Sequence, residues 1–489
     1  MTRAFFVVAG AFTVFAACGQ EASVELAPPT VAQEALTAEE ENLLRCDMNP
    51  ILLTLDPAER AQFRRGCHLF FEETFEGNGR TCGSCHLQTL ANGDASDNHF
   101  DFGPAHAQAL FDADPTHPLF RAIDSDDGAG LDYSTLLDHG LVRIPFVLPP
   151  NVTVEEVDSP LVDVDPVTGR TTVHVLRSTP SVENMFFEDE LMWDGRFGTD
   201  LEVQAVEAVL THFESGRLPT DEETSDIAFF QEQQFTNARV RQWASGGPAP
   251  TLPEVPDRLE GDYWDSVRRG RNFFVDMPVS PDNPIRGGHC ATCHSGPMLD
   301  STNVFNPFLP PGLRITNNAV SETNMPGNPA FPPGHRVGLQ LPELTYHIVL
   351  THDVLVPPGA PVPLPPGSVL FPAGTPFTVR SSDLGRVLTT GEPCEQVVFC
   401  LIGSDPSVGR FTTTSLFRIS SLWGAADSAP YFHDNSAADL DALMEHYKTL
   451  LDSTGFALNN PAWFLSDQDR ADIINNMMYG FRKHPALLP

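Results

Sequence analysis

Two five-residue stretches carry the clearest chemistry in this sequence: Cys82-Gly-Ser-Cys85-His86 and Cys290-Ala-Thr-Cys293-His294. Two thiols three positions apart, followed at once by an imidazole, form the pattern of covalent haem attachment. The thiols add to the vinyl groups, and the adjacent histidine reaches the iron from the same face. The rival readings are a zinc site, which needs four converging ligands, and a redox dithiol, which has no use for a histidine directly after it twice. Residue frequencies alone give about 0.005 such matches by chance. The spacing predicts two covalent c-type haems on Cys82, Cys85, Cys290 and Cys293, with His86 and His294 as proximal iron ligands.

The elements that position these motifs are partly legible. Arg64-Arg65-Gly66-Cys67-His68-Leu69-Phe70-Phe71 precedes the first motif, and Arg268-Arg269-Gly270-Arg271-Asn272-Phe273-Phe274-Val275 precedes the second. In both, paired basic residues and a glycine lead into an apolar run, as duplication of one small unit would produce. Periodicity predicts helices over 56–73, 200–213, 257–275, 437–452 and 466–482, the last capped by Ser466 with Asp469 three residues on. Residues 142–148 and 171–175 are rich in β-formers, and Asp165-Pro-Val-Thr-Gly169 is a turn signal. Residues 356–376 are Pro-rich and read as an ordered surface loop or a polyproline segment. With 44 Pro and 36 Gly in 489 residues, the expected fold is mainly α and loop-rich, with small β insertions. It divides into two cytochrome c-like haem domains, 46–255 with the β insertion and 256–489 with the Pro-rich insertion.

The formal net charge of −36 excludes nucleic acid as a partner and suits a solvated surface or a basic protein. Residues 1–17 read as an export signal: Arg3, an apolar stretch from Ala4 to Ala17 too short to span a bilayer, then Cys18. Small residues before that cysteine resemble a lipoprotein cleavage box, with simple cleavage after Ala17 as the other reading. The expected location is the periplasm, with membrane contact only through a lipid on Cys18, and 18–45 is a flexible acidic tether. Cys46, Cys67, Cys394 and Cys400 remain, either as the pairs Cys46–Cys67 and Cys394–Cys400 or as buried thiols.

Several further stretches carry a family resemblance. They are Gly77-Asn-Gly-Arg-Thr81, Arg177-Ser-Thr-Pro-Ser181, Trp193-Asp-Gly-Arg196, Leu201-Glu-Val-Gln-Ala205, Phe417-Arg-Ile-Ser-Ser-Leu-Trp423, Ala429-Pro-Tyr-Phe-His-Asp434 and Glu445-His-Tyr447. In this order the chain resembles the bacterial di-haem cytochrome c peroxidases, which include MauG. Residues 100–176 and 300–410 look like insertions.

The resemblance implies an enzyme that uses hydrogen peroxide at the N-terminal haem, with electrons relayed through the C-terminal haem. It implies Gln204 and Glu214 as the distal pair, with His212 as a further proton-handling candidate, and Trp193 between the haems. Tyr447 is the implied sixth ligand of the C-terminal iron, with Met444 competing, and His433 belongs to the cofactor-binding set. The N-terminal iron is open or capped by His99 or His106. One calcium ion would lie between the haems on Ser178, where the family has Asn, and on the Ser428 and Pro430 carbonyls. Implied partners are a small donor cytochrome c or copper protein, or a protein substrate whose Trp or Tyr side chains are oxidised. A non-enzymatic electron-transfer cytochrome is the remaining alternative.

Overall fold

The computed structural model describes residues 42–86, 88–90, 98–100, 102–275, 290–301, 317–318, 341–356, 365–393, 417–457 and 464–482. The export signal, residues 18–41 of the tether and the Cys394–Cys400 pair lie outside these residues; the end of the expected tether is already in the helical turn Leu43–Asp47.

The helix Pro57–Glu72 starts on a reciprocal cap in which Asp56 accepts from the Ala58 and Glu59 amides and Glu59 accepts from the Asp56 amide. It buries Phe63, Gly66, Cys67 and Phe70, one stripe at helical spacing. That stripe packs on the helix Asp221–Glu232, and Phe63 and Phe70 each lie 5.2 Å from the ring of Phe230. Gly66 sits at the crossing. A Cβ there would come within 1.9 Å of the Asp226 carbonyl oxygen. Beside it Arg65 grips the Asp226 carboxylate with two bonds, at 2.6 and 2.8 Å.

The second copy of the repeat does the same. Helix Asp262–Val275 crosses helix Asp467–Gly480, a Cβ on Gly270 would meet the Asp472 carbonyl at 1.9 Å, and Arg269 holds the Asp472 carboxylate at 2.7 and 2.8 Å. Phe274, aligned with Phe70, packs 5.4 Å from Phe481. The repeat read from the sequence is therefore a repeat of one helix crossing. Cys46 and Cys67 form a disulfide across 21 residues, which fastens the chain entry to the first crossing and contributes about 3 kcal/mol.

The five expected helices are present within a few residues of their boundaries, apart from the third, which starts at Asp262 rather than 257, and the fourth, which ends at Ala457 rather than 452. Pro104–Ala113, Ser134–His139, Asp221–Glu232 and Ala238–Ala244 are additional. The β insertion is larger than its sequence signal. Strand Leu141–Val147 pairs antiparallel with Thr171–Ser178, which also pairs with Val162–Val164 through the Asp165–Gly169 turn. Pro145 is tolerated because its strand lies at the sheet edge.

A second sheet runs in the order Pro376–Ser381, Leu344–Val349, Val152–Val154. Val152–Val154 thus comes from the first half of the chain and completes a sheet built by the second. Both sheets share one core that includes Phe146, Val173, Val175, Tyr346, Ile348, Phe377 and Val379. The two apparent insertions are one module. The Pro-rich stretch differs from expectation as well: Val369–Phe371 is a strand and a further strand begins at Pro376, while 357–364 lies outside the described residues.

Gly66→Ala or Gly270→Ala should force the helices apart. Each should lower stability by about 1–3 kcal/mol or more, read as a lower denaturant midpoint.

Candidate haem sites

The first motif is a tight turn seated on the end of helix Pro57–Glu72. The Thr81 and Ser84 backbones and the Ser84 hydroxyl bond reciprocally, and the His86 amide donates to the Cys82 carbonyl at 2.9 Å. Gly83 is required, since a Cβ would lie 2.4 Å from the Phe71 ring. Phe70 flanks the His86 imidazole with ring centres 6.1 Å apart. Cys82 and Cys85 are free thiols, and burial pushes Cys82 up to about 12. Burial also lowers His86 to about 4, opposed by the Pro180 carbonyl that faces the ring. The imidazole is neutral, the form that ligates iron. Arg80 ties the segment before the motif to Asp124 and to the Pro118 and Leu119 carbonyls.

The second motif has a better-defined histidine. His294 Nδ1 lies 2.9 Å from the Leu299 carbonyl oxygen, so Nδ1 carries the proton and Nε2 keeps its lone pair. Leu299 holds φ at +57°. Its loop is closed by the Ser295 amide donating to the Ser301 carbonyl at 2.9 Å. Two residues of the 417–423 stretch grip the same loop: Trp423 Nε1 donates to the Pro297 carbonyl at 2.7 Å and Ser421 Oγ to that of Met298 at 2.9 Å. Burial pushes Cys290 up to about 12 and Cys293 to about 11.

Tyr447, on the helix Leu440–Ala457, has its phenol raised by burial and by the Cys290 and Cys293 thiols beside it. Met444 is buried in the surrounding core with Leu443, Trp423 and Phe274. In both motifs two thiols and a neutral imidazole converge, a donor set that fits covalent haem. Among the described residues no cluster of His, Cys, Asp or Glu forms a competing metal site.

Trp193 stands where the halves of the chain meet. Its Nε1 donates to the Ser178 carbonyl at 2.8 Å, and its own carbonyl accepts from the Arg418 amide at 2.8 Å. The Ser178 amide donates to the His433 carbonyl at 2.7 Å, and its hydroxyl to that of Phe432 at 3.1 Å. The Ser428 hydroxyl turns to the Gly424 carbonyl. His433 is fully buried and stacked on Phe417 at 3.8 Å, and among the described residues neither ring nitrogen has a hydrogen-bond partner.

Arg177 fastens this junction. It holds Asp383 at 2.5 and 2.9 Å and Asp194 at 2.7 Å, and Arg196 also reaches Asp194. The Arg177 guanidinium lies over the Phe146 ring at 4.7 Å.

The distal candidates separate. Gln204 is half-buried on helix Leu201–His212, with its amide 3.6 Å from Met192 sulfur. Glu214 lies just past the helix end at φ +50°. It is exposed and paired with Arg121 at 2.9 Å. His212 lies nearer the first motif. Burial, then Arg80, Arg196 and His86, lower its imidazole to about 3. His106 is half-buried on Pro104–Ala113, and the His99 side chain lies outside the described residues. Sequence reasoning missed Pro180, Phe71, Ser421 and Trp423 as supports, although all four belong to stretches already singled out.

Residues 60–242 match the family model described as di-haem cytochrome c peroxidase. Over those residues the chain is similar to the di-haem cytochrome c peroxidase and MauG family. No curated protein matches it. A solved structure described as a MauG-like protein associated with microbial copper homeostasis is similar over 85% of this chain and 87% of that one, at 14% identity and a TM-score of 0.36. The matched family is one of haem proteins with peroxidase-type oxidoreductase chemistry.

Arg177→Met should leave the buried Asp383 without its cation. The expected loss is about 3–5 kcal/mol, measured as a lower unfolding midpoint at neutral pH.

Proposed function

We propose that this protein is an exported di-haem oxidoreductase that reacts with hydrogen peroxide at the haem on Cys82 and Cys85. Cys290, Cys293 and His294 would hold the second haem, which would supply a one-electron centre. The observation that carries the reading is the pair of CxxCH turns, each ending in a half-buried, neutral histidine, with Tyr447 lodged beside the second pair of thiols. In this reading the chain forms two cytochrome c-like haem units, 46–255 and 256–489, covalently loaded. Haem supplies the iron at which peroxide is reduced and one-electron equivalents are held. His86 and His294 are the proximal ligands and Tyr447 the sixth ligand of the second iron. Trp193 joins the two sites through Ser178 and Arg418. Ser178, with the Ser428 and Pro430 carbonyls, is the place proposed for calcium.

Peroxide reduction needs a group that moves a proton between the two oxygens. Glu214 and Gln204 fill that role by family position, and His212 by its place near His86. Glu214→Gln should leave haem content intact and slow the reaction with peroxide by about 10²–10⁴-fold in stopped flow. An unchanged rate in that variant, with a slow one in His212→Gln, would move the proton work to His212.

Tyr447 beside the cysteines also supports a second reading, oxidation of Trp or Tyr side chains on a partner protein. An anionic oxygen ligand stabilises oxidised iron, so the fully ferric protein should react with peroxide without prior reduction and should lack the near-infrared band of Met–iron ligation. Finding that band, and losing it in Met444→Ala, would make this a reductively activated peroxidase. A donor cytochrome c or copper protein is the proposed electron source for the first reading. The proposed location is the periplasm, through the export signal and a lipid on Cys18.

A further inference from the structure

The two helix crossings correspond closely around their glycines and differ in chemistry at one buried place. A Cβ on Gly66 would meet the Asp226 carbonyl oxygen at 1.9 Å and the Phe230 Cβ at 2.9 Å. A Cβ on Gly270 would meet the Asp472 carbonyl oxygen at 1.9 Å and the Asn476 Cβ at 3.0 Å. Asn476 therefore occupies in the second unit the place that Phe230 holds in the first, and the helices read Asp226-Ile-Ala-Phe-Phe230 and Asp472-Ile-Ile-Asn-Asn476. Both residues are 0% exposed. Phe230 fills its place with a ring, 5.2 Å from Phe70 and 5.9 Å from Phe71. Those two rings flank His86 and seat Gly83, so residue 230 backs the wall of the first haem motif. In the second unit Phe274, the counterpart of Phe70, packs instead on Phe481.

The neighbouring Asn475 is accounted for by the crossing itself. Its Nδ2 donates to Ser266 Oγ at 2.9 Å, and that hydroxyl donates to Asp472 at 2.5 Å. Asn476 is not accounted for: neither Nδ2 nor Oδ1 has a hydrogen-bond partner among the described residues. An amide sealed from solvent without partners bears the full cost of its desolvation. An apolar side chain would fill the same place without that cost, as Phe230 does.

Resting on the function proposed above, we propose that Asn476 is a positioning residue of the second haem site, its Nδ2 donating to an oxygen held there. That oxygen belongs to a haem carboxylate or to a water lodged with the haem, and either accepts the bond in the same way. The duplicated unit then presents an apolar wall behind the first motif and a hydrogen-bonding wall behind the second. Two haems attached by the same five-residue pattern thereby acquire unequal affinity for an electron. An N–H group turns the positive end of its dipole toward the site and favours the reduced form.

The test compares wild-type and Asn476→Leu holoprotein, with covalent haem counted on the same samples. Leucine keeps roughly the shape of asparagine and lacks the amide. In the variant the midpoint potential of the second haem should fall, that of the first should stay, and the denaturant midpoint should fall because a buried bond is lost. A shift in the carboxylate-bending Raman band of the second haem would assign the oxygen to the haem, and an unshifted band would assign it to water. Removing an idle amide would instead raise the denaturant midpoint. That rise, a second-haem potential that does not fall, or equal shifts at both haems would overturn this proposal and leave the functional reading standing. Where the leucine variant does not accumulate with both haems, Asn476→Val carries the same measurements. Wild-type protein without covalent haem would overturn the functional reading and this proposal together.

Discussion

Two helices can bring their backbones into contact only where one of them has no Cβ, and this structure uses that constraint twice. At Gly66 and again at Gly270, a carbonyl of the crossing helix occupies the space a side chain would fill. An arginine one residue earlier locks each register onto the aspartate that owns the carbonyl. In the first copy, this contact fixes where Phe70 and Phe71 emerge, and Phe71 is the surface on which the Cys82–Cys85 turn rests. In the second, helix Asp262–Val275 is locked against Asp467–Gly480, and Phe273 and Phe274 join the core against which Cys290 and Tyr447 pack. The thiols and imidazoles are a consequence of two glycines.

The halves are held together by charge as much as by apolar packing. Arg177 sits between Asp194 and Asp383 with almost no exposure, and Arg418 lies between Glu188 and the Trp193 backbone. Buried ion pairs of this kind add little net stability, because desolvation offsets most of their attraction. They do forbid alternatives, since any slip leaves a charge without a partner. The β module acts in the same direction, with Val152–Val154 paired to Leu344–Val349 across almost two hundred residues of sequence. Electron passage between two sites needs such a fixed separation, and Trp193 lies where these restraints converge.

The most legible parts of the sequence were those whose chemistry is local. The cysteine motifs, the Arg-Gly repeat and the Ser466 cap each declare themselves within a few residues. Helix Asp221–Glu232 did not, because its buried face includes Thr224, Asp226 and Gln231, polar groups that hide the helical period until Arg65 is known to reach Asp226. The β module was only half visible, since pairing of two distant segments leaves no local mark, and prolines near strand Val369–Phe371 argued for loop. At the distal side, counting ten residues from Gln204 identified Glu214. Spacing could not show that the chain turns left-handed there and presents that carboxylate to Arg121, while His212 stays inward.

The most direct measurement of the central claim is the intact mass of the denatured chain, produced in a host that matures c-type cytochromes, with peptide mapping of both motifs. Two haems per chain are expected, one on the peptide containing Cys82 and Cys85 and one on that containing Cys290 and Cys293, each surviving acid extraction. A chain carrying no covalent haem, with Cys82–Cys85 and Cys290–Cys293 as disulfides or zinc-bound thiolates, would contradict it.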